Sequence, residues 1–202
     1  MAVFYLVRHG YIDYAERVPG RQKGIFLSDR GRAQAGSLVD MFSEIEVDNI
    51  YSSPLERTME TAHPLAEVKG CGIQKREELI EIDFGEWTGM LFDELESDTR
   101  WKNFHSYRNG CVIPGGELMI QVQLRMIKLI NELCQKNSER SIVLISHNDP
   151  IKSVLAYFLG ISLDQFLRIN ISTGSVSAIC LEKNSVKVLF VNRTDHIPCN
   201  YD

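Results

Sequence analysis

Two short apolar runs, each ending in a histidine, constrain this chain more than any other feature. Val3-Phe4-Tyr5-Leu6-Val7 leads directly into Arg8-His9-Gly10, and Ile142-Val143-Leu144-Ile145 leads into Ser146-His147-Asn148-Asp149-Pro150. Apolar, β-branched and aromatic runs of this length read as fully buried strands. Each histidine then falls at the carboxyl end of a strand, the edge at which open α/β sheets bind their ligands. Past the second run, Ile151, Val154, Leu155, Phe158 and Leu159 recur at helical spacing. Asn148 or Asp149 is expected to cap that helix, and Pro150 suits its first turn. His147 therefore sits beside a helix N-terminus, whose free N–H groups favour anions. Either triplet alone could be a charged turn after a strand. Two strand–histidine–turn units in one chain argue against that reading.

The rest of the composition sets bounds. With 202 residues, 44% hydrophobic and 24% charged, the chain suits one well-buried globular domain over 1–202. It carries no internal repeat, low-complexity tract or interdomain linker. A formal charge of −5 argues against non-specific binding to nucleic acid or anionic membranes. No apolar stretch approaches the roughly 20 residues that span a bilayer. Met1-Ala2-Val3 lacks the basic segment and apolar core of a secretory signal. The five cysteines (Cys71, Cys111, Cys134, Cys180 and Cys199) are dispersed, with no Cys-x-x-Cys pair. That pattern fits reduced thiols in a cytoplasm and lacks zinc-ligand spacing.

Strands are expected at Val3–Val7, Asn49–Ser52, Ile142–Ser146, Val176–Leu181 and Val186–Val191. Helices are expected at Asp29–Phe42, Leu55–Glu67, Glu117–Lys136 and Ile151–Phe158, with a short one near Leu163–Leu167. Their alternation predicts an α/β fold, a three-layer α/β/α sandwich with a largely parallel central sheet. The last two strands, joined by Glu182-Lys183-Asn184-Ser185, read as an antiparallel hairpin. Residues 90–115 break the pattern: Trp101, Phe104, His105, Tyr107 and Arg108 follow no clean period. This segment reads as a cap-like surface excursion over a site, or else as a satellite hydrophobic cluster under a loop.

Two further groups carry chemistry. Ile50-Tyr51-Ser52-Ser53-Pro54-Leu55-Glu56-Arg57 reads as strand, serine turn and a helix opened by a proline. Arg57 then lies in that helix's first turn, at the sheet edge where His9 and His147 emerge, and its guanidinium can bind phosphate oxygens bidentately. Glu81 lies in a stretch dense in carboxylates and aromatics. A carboxyl group among apolar side chains can hold a raised pKa and deliver a proton near neutrality. Glu77, Glu78, Asp83 and Glu86 compete for that role, and spacing alone does not choose among them.

The chain resembles the histidine phosphatase superfamily, with its phosphoglycerate mutase-like fold. The matching pieces are Leu6-Val7-Arg8-His9-Gly10, Leu27-Ser28-Asp29-Arg30-Gly31-Arg32-Ala33-Gln34-Ala35, Ser52-Ser53-Pro54-Leu55-Glu56-Arg57-Thr58, Glu81-Ile82-Asp83-Phe84-Gly85-Glu86-Trp87-Thr88-Gly89, Pro114-Gly115-Gly116-Glu117 and Ser146-His147. They keep the family's order and cover essentially the whole chain. The resemblance implies that His9 becomes a phosphohistidine and that Arg8, Arg57 and His147 grip the phosphoryl group. It makes Glu81 the proton donor to the leaving oxygen. It also places Arg21, in Pro19-Gly20-Arg21-Gln22-Lys23-Gly24, on a loop within reach of phosphate or substrate. Asn148, beside His147, joins the expected phosphate-binding residues. Three departures bear on the substrate. Tyr11-Ile12-Asp13-Tyr14-Ala15 lacks the family's Glu-Thr pair and asparagine, Asn148-Asp149 replaces two glycines, and Leu118 stands where serine is common.

The chemistry has its own logic. A neutral imidazole attacks phosphorus only through an unprotonated nitrogen, so the other nitrogen of His9 is expected to donate to a backbone carbonyl. Arginines and histidines supply the positive charge, so neither metal nor cofactor is implied. The leading expectation is a phosphomonoester hydrolase acting through phosphohistidine on a small phosphorylated metabolite. No nucleic-acid or membrane partner is expected, and a homodimer is left open. One alternative is phosphoglycerate mutase-type transfer. Mutases of this superfamily carry a larger, more basic insertion, whereas Arg100, Lys102 and Arg108 are the only arginines and lysines between Glu81 and Pro114. The other is a non-catalytic phosphoester-binding protein. A dinucleotide fold lacks support, because no Gly-x-Gly-x-x-Gly follows the first strand.

Overall fold

A computed structural model describes residues 1–14, 16–136, 140–183 and 185–197. Ala15, Asn184 and Cys199, named above, lie outside the described residues. In chain order the elements are β1 (Ala2–Arg8), α1 (Asp29–Met41), β2 (Asn49–Ser52), α2 (Glu56–Lys69), β3 (Ile73–Lys75), α3 (Phe92–Leu95), α4 (Thr99–Ser106), α5 (Met119–Lys136), β4 (Ser141–Ser146), α6 (Asn148–Leu159), β5 (Val176–Leu181) and β6 (Val186–Arg193). Short 3-10 turns occupy Glu77–Leu79, Gly85–Trp87 and Leu163–Arg168.

The strands form one sheet in the order β3-β2-β4-β1-β5-β6. The first four run parallel, and β5 and β6 are antiparallel additions at one edge. Alternation along the central strands explains why both apolar runs are continuous. Phe4, Leu6, Ile142 and Leu144 enter one core, shared with α5 and α6, while Tyr5, Val7, Val143 and Ile145 enter the other, shared with α1 and α2. Successive strand side chains point to opposite faces, so a strand buried on both faces has no polar position to give away. The architecture is the expected three-layer sandwich.

Several local expectations are corrected. β3 was not expected, since Ile73-Gln74-Lys75 is too short and polar to announce itself. The helix after β4 begins at Asn148, so His147 is its N-cap residue, and it makes no side-chain cap hydrogen bond. Pro54 lies before the N-cap Leu55 of α2, whose ψ of 145° is extended, and so it does not open the helix. The residues near Leu163–Leu167 coil as 3-10 rather than α-helix.

The 90–115 segment is mostly exposed or half-buried and is tied down by a few buried side chains. Leu95, Phe104 and Ile113 are buried in the core beneath α5. Trp101 and Phe104 pack on Trp87 with ring centroids 5.2 and 5.6 Å away. The irregular spacing of its aromatics arises because two very short helices, α3 and α4, turn against one another. Arg108 anchors its far end by an ion pair of 2.9 Å to Asp149 on α6, with both side chains buried. Its guanidinium also lies 3.8 Å above the Phe104 ring. Cys71, Cys111, Cys134 and Cys180 are free thiols. No described helix is long and apolar enough to cross a membrane.

Candidate active site

Parallel pairing delivers the carboxyl ends of β2, β4 and β1 side by side at one edge. The ladder continues past the strand ends, with His9 N donating to Ser146 O at 3.0 Å and Ser53 N donating to Ile145 O at 3.0 Å. His9 and His147 meet there, ring centroids 5.1 Å apart. Both are buried, His147 completely.

Each ring is pinned through one nitrogen. His9 Nδ1 lies 2.8 Å from Gly10 O, an acceptor that requires the proton on Nδ1 and leaves Nε2 bare. His147 Nε2 lies 2.9 Å from Ser53 Oγ. With the Ser53 hydroxyl, which also accepts from Leu55 N at 3.4 Å, donating to Nε2, the ring proton sits on Nδ1.

The two arginines are held by backbone carbonyls. Arg8 Nη1 donates to Ile171 O at 2.6 Å, and Arg57 Nη2 donates to Gly20 O at 2.7 Å. Arg57 is wholly buried within the first turn of α2. Burial lowers the pKa of both guanidinium groups from their ordinary value, and the nearby Glu81 carboxyl opposes that shift. Three buried nitrogens of this cluster, Arg8 Nε, Arg57 Nε and His147 Nδ1, have no hydrogen-bond partner among the described residues. Buried N–H groups are rarely left so, and several together mark a place built for an acceptor.

Burial drives the His9 pKa well below its ordinary value, and the Arg57 and Arg8 charges push it further in the same direction. His147 moves the same way, through burial and then Arg57. Both imidazoles are therefore neutral near neutral pH. Glu81 moves oppositely. Burial, reinforced by the Asp149 carboxylate, raises it to about 7 against the pull of the Ile82 N–H, Arg57 and Arg8.

The Glu81 segment is fastened from several sides. Ser146 Oγ donates to Leu79 O at 2.6 Å, and Glu81 Oε1 accepts from Ile82 N at 2.9 Å. Arg21 Nε and Arg125 Nη2 both donate to the Glu81 carbonyl, at 2.8 and 3.3 Å, and Glu117 binds both guanidinium groups. Gly85, at φ +48°, lets the following turn press on Pro114 and Gly115, since a Cβ there would meet Pro114 O at 2.1 Å.

His9, His147, Arg8, Arg57 and Glu81 thus converge. Two further expected residues have partners of their own: Arg21 donates to Glu81 O through Nε and to Glu117 through Nη2, and Asn148 Nδ2 donates to Asp149 Oδ1 at 3.0 Å. Ser53, Arg125 and the Arg108–Asp149 pair were not singled out as site residues from the sequence. Ser53 had a signal in its place within the serine turn beside Arg57, whereas the others depend on contacts between distant segments. Among the described residues, no three or more His, Cys, Asp or Glu side chains are grouped to hold a metal ion.

Comparison with known proteins identifies a family. Residues 4–194 match the family model described as "Histidine phosphatase superfamily (branch 1)". The chain is 32% identical to Phosphoserine phosphatase 1 of Hydrogenobacter thermophilus, covering 98% of this chain and 95% of that protein. It is 24% identical to a 2,3-bisphosphoglycerate-dependent phosphoglycerate mutase of Thermoplasma acidophilum, covering 98% and 96%. Among solved structures, the phosphoserine phosphatase of Entamoeba histolytica in complex with 3-phosphoglyceric acid superposes with a TM-score of 0.87. It is 27% identical, over 97% of this chain and 99% of that one.

Proposed function

The chain belongs to the histidine phosphatase superfamily (branch 1), and on that footing we propose that it hydrolyses a small phosphomonoester through a phosphohistidine on His9. The observation that carries this reading is the set of unpartnered buried donors, Arg8 Nε, Arg57 Nε and His147 Nδ1, beside a histidine whose Nδ1 is tied to Gly10 O. A phosphoryl group supplies the acceptors those donors lack.

In the first step the lone pair of His9 Nε2 attacks phosphorus and the ester P–O bond breaks. The leaving oxygen takes the proton of Glu81, whose raised pKa keeps that proton available near neutrality. Arg8, Arg57 and His147 bind the equatorial oxygens as their charge develops. In the second step a water gives its proton to the Glu81 carboxylate and attacks phosphorus. The P–N bond breaks, inorganic phosphate leaves, and His9 and protonated Glu81 are restored. Arg21 and Asn148 contribute by positioning: Arg21 fixes the Glu81 backbone, and Asn148 engages Asp149.

Phosphoserine and 3-phosphoglycerate, the compounds named with the relatives above, are the first substrates to try. The expected result is phosphate release by the wild type and none by His9→Ala. Near-normal release by His9→Ala would remove His9 as nucleophile. Isomer exchange of 3-phosphoglycerate without net phosphate release would instead support a mutase. Residues 90–115, pinned by Arg108, are assigned to covering this site within one domain. The dispersed cysteines favour a reducing cytoplasm as its compartment.

A further inference from the structure

Taking the hydrolase reading as its basis, we propose that Gln34 and Thr61 are positioning residues. They form a clamp, one jaw on α1 and one on α2, that holds the Gly10 carbonyl against His9 and so fixes which ring nitrogen attacks. His9 Nδ1 lies 2.8 Å from Gly10 O, and that contact leaves Nε2 bare. The carbonyl belongs to the peptide unit joining Gly10 to Tyr11. A trans peptide is planar, so whatever holds the N–H at its other end also sets the direction of the carbonyl. Tyr11 N donates to Gln34 Oε1 at 2.8 Å, and Gln34 Nε2 donates to Thr173 Oγ1 at 3.1 Å, which orients the amide. Hydrogen bonds at both ends of one peptide unit also strengthen one another. Gln34 lies against Gly174, where a Cβ would meet Gln34 Cβ at 2.8 Å.

Thr61 holds the preceding peptide unit. Its Oγ1 donates to Arg57 O at 2.7 Å, so its one proton is committed and the oxygen faces Gly10 N as an acceptor, at 3.0 Å. Thr61 is wholly buried. His9 itself is fastened by backbone alone, its N donating to Ser146 O at 3.0 Å and its O accepting from Gly174 N at 3.2 Å. The ladder ends there. Gly10 has the widest backbone freedom of any residue type, so the peptide planes on either side of it need holding from outside. Gln34 and Thr61 supply that. Among the described residues, neither makes a hydrogen bond to the side chains of Arg8, Arg57 or His147. The clamp therefore acts on the nucleophile and leaves the phosphate cradle as it is.

Inorganic phosphate and orthovanadate separate those two effects. Both enter the cradle, but vanadate also closes on Nε2 as a five-coordinate mimic of the transition state, so its affinity depends on the alignment of His9. The readout is Ki for phosphate divided by Ki for vanadate, each measured against hydrolysis of p-nitrophenyl phosphate. Gln34 is half-buried, and Gln34→Met should lower the wild-type ratio about threefold to tenfold while Ki for phosphate stays within about twofold. Gln34→Glu keeps the acceptor and should hold most of the ratio, because its added charge weakens both anions alike. Thr61→Val should lower the ratio as Gln34→Met does, whereas Thr61→Ser, which keeps Oγ, should hold most of it. An unchanged ratio in Gln34→Met overturns the clamp, as does an equal weakening of both anions. If Gln34→Met or Thr61→Val fails to fold, a ratio lost in Thr61→Ser or Gln34→Glu still overturns it. Each of these results leaves the hydrolase intact. A wild type that hydrolyses no phosphate ester would instead overturn the hydrolase reading, and the clamp with it.

Discussion

His9 and His147 meet at a ring-plane angle of 62° and are anchored through opposite nitrogens, Nδ1 to Gly10 O in one and Nε2 to Ser53 Oγ in the other. One imidazole is thereby left with a bare lone pair and the other with a proton. A nucleophile and a hydrogen-bond donor are made from the same side chain by backbone and serine placement alone.

Ser53 is consequently a positioning residue. Ser53→Ala removes the donor that sets the His147 tautomer and leaves Nε2 buried without a partner, a loss of about 1–3 kcal/mol. We expect kcat/KM to fall roughly tenfold to hundredfold while Ser53→Thr recovers part of it. Unchanged kinetics in a folded Ser53→Ala protein would show that the tautomer is fixed otherwise.

Arg108 and Asp149 predict a stability effect. Replacing Arg108 with Met leaves the Asp149 carboxylate buried without its 2.9 Å partner, at a cost of about 3–5 kcal/mol. The double variant Arg108→Met with Asp149→Leu should recover most of that loss, because no buried charge is stranded. Urea midpoints of the four proteins form the cycle, and additive losses would show that the two side chains do not interact.

Much of this arrangement was legible in the sequence. The apolar runs ending in His9 and His147 fixed two central strands, because residues buried on both faces leave a continuous signal. The serine turn before Arg57 revealed the third strand end. Glu81 was not selected by spacing over its neighbouring carboxylates, because its distinction is burial near Asp149, which comes from α6 far along the chain. The same holds for Arg108 and Arg125, whose partners lie on other elements. Residues 90–115 left two readings open for a related reason, since helices of four and eight residues are too short to print a period.

Gly10 and Gly31 explain another motif. A Cβ on Gly31 would stand 2.1 Å from Tyr11 O, and one on Gly10 would stand 2.5 Å from Gly31 O. The first turn of α1 therefore presses directly on the backbone that follows His9. Gly31→Ala must displace that backbone, and a shift of the nucleophile by about 1 Å can cost about a hundredfold in rate. We expect kcat to fall by that order while Gly36→Ala, where an added Cβ meets nothing within 4 Å, retains wild-type turnover. Equal activities would place the strain elsewhere.

Glu81 ties activity and stability to the same proton. Its pKa is raised to about 7 in the folded protein, against roughly 4.3 in an unfolded chain. The folded state thus holds the proton more tightly, so the stability it confers is complete below about pH 4.3 and is lost as pH rises to about 7. The amount at stake is on the order of 3 kcal/mol. Glu81→Gln cannot ionise and should flatten thermal stability across that window, exceeding the wild type at pH 8. Turnover of the wild type should decline above about pH 7 as the leaving group loses its proton donor. No loss from His9 protonation should appear at its ordinary value near 6.5, because burial and the two arginines hold that ring neutral. Parallel stability curves for wild type and Glu81→Gln between pH 5 and pH 8 would show that the carboxyl titrates outside this range, and its role as proton donor near neutrality would fall with it.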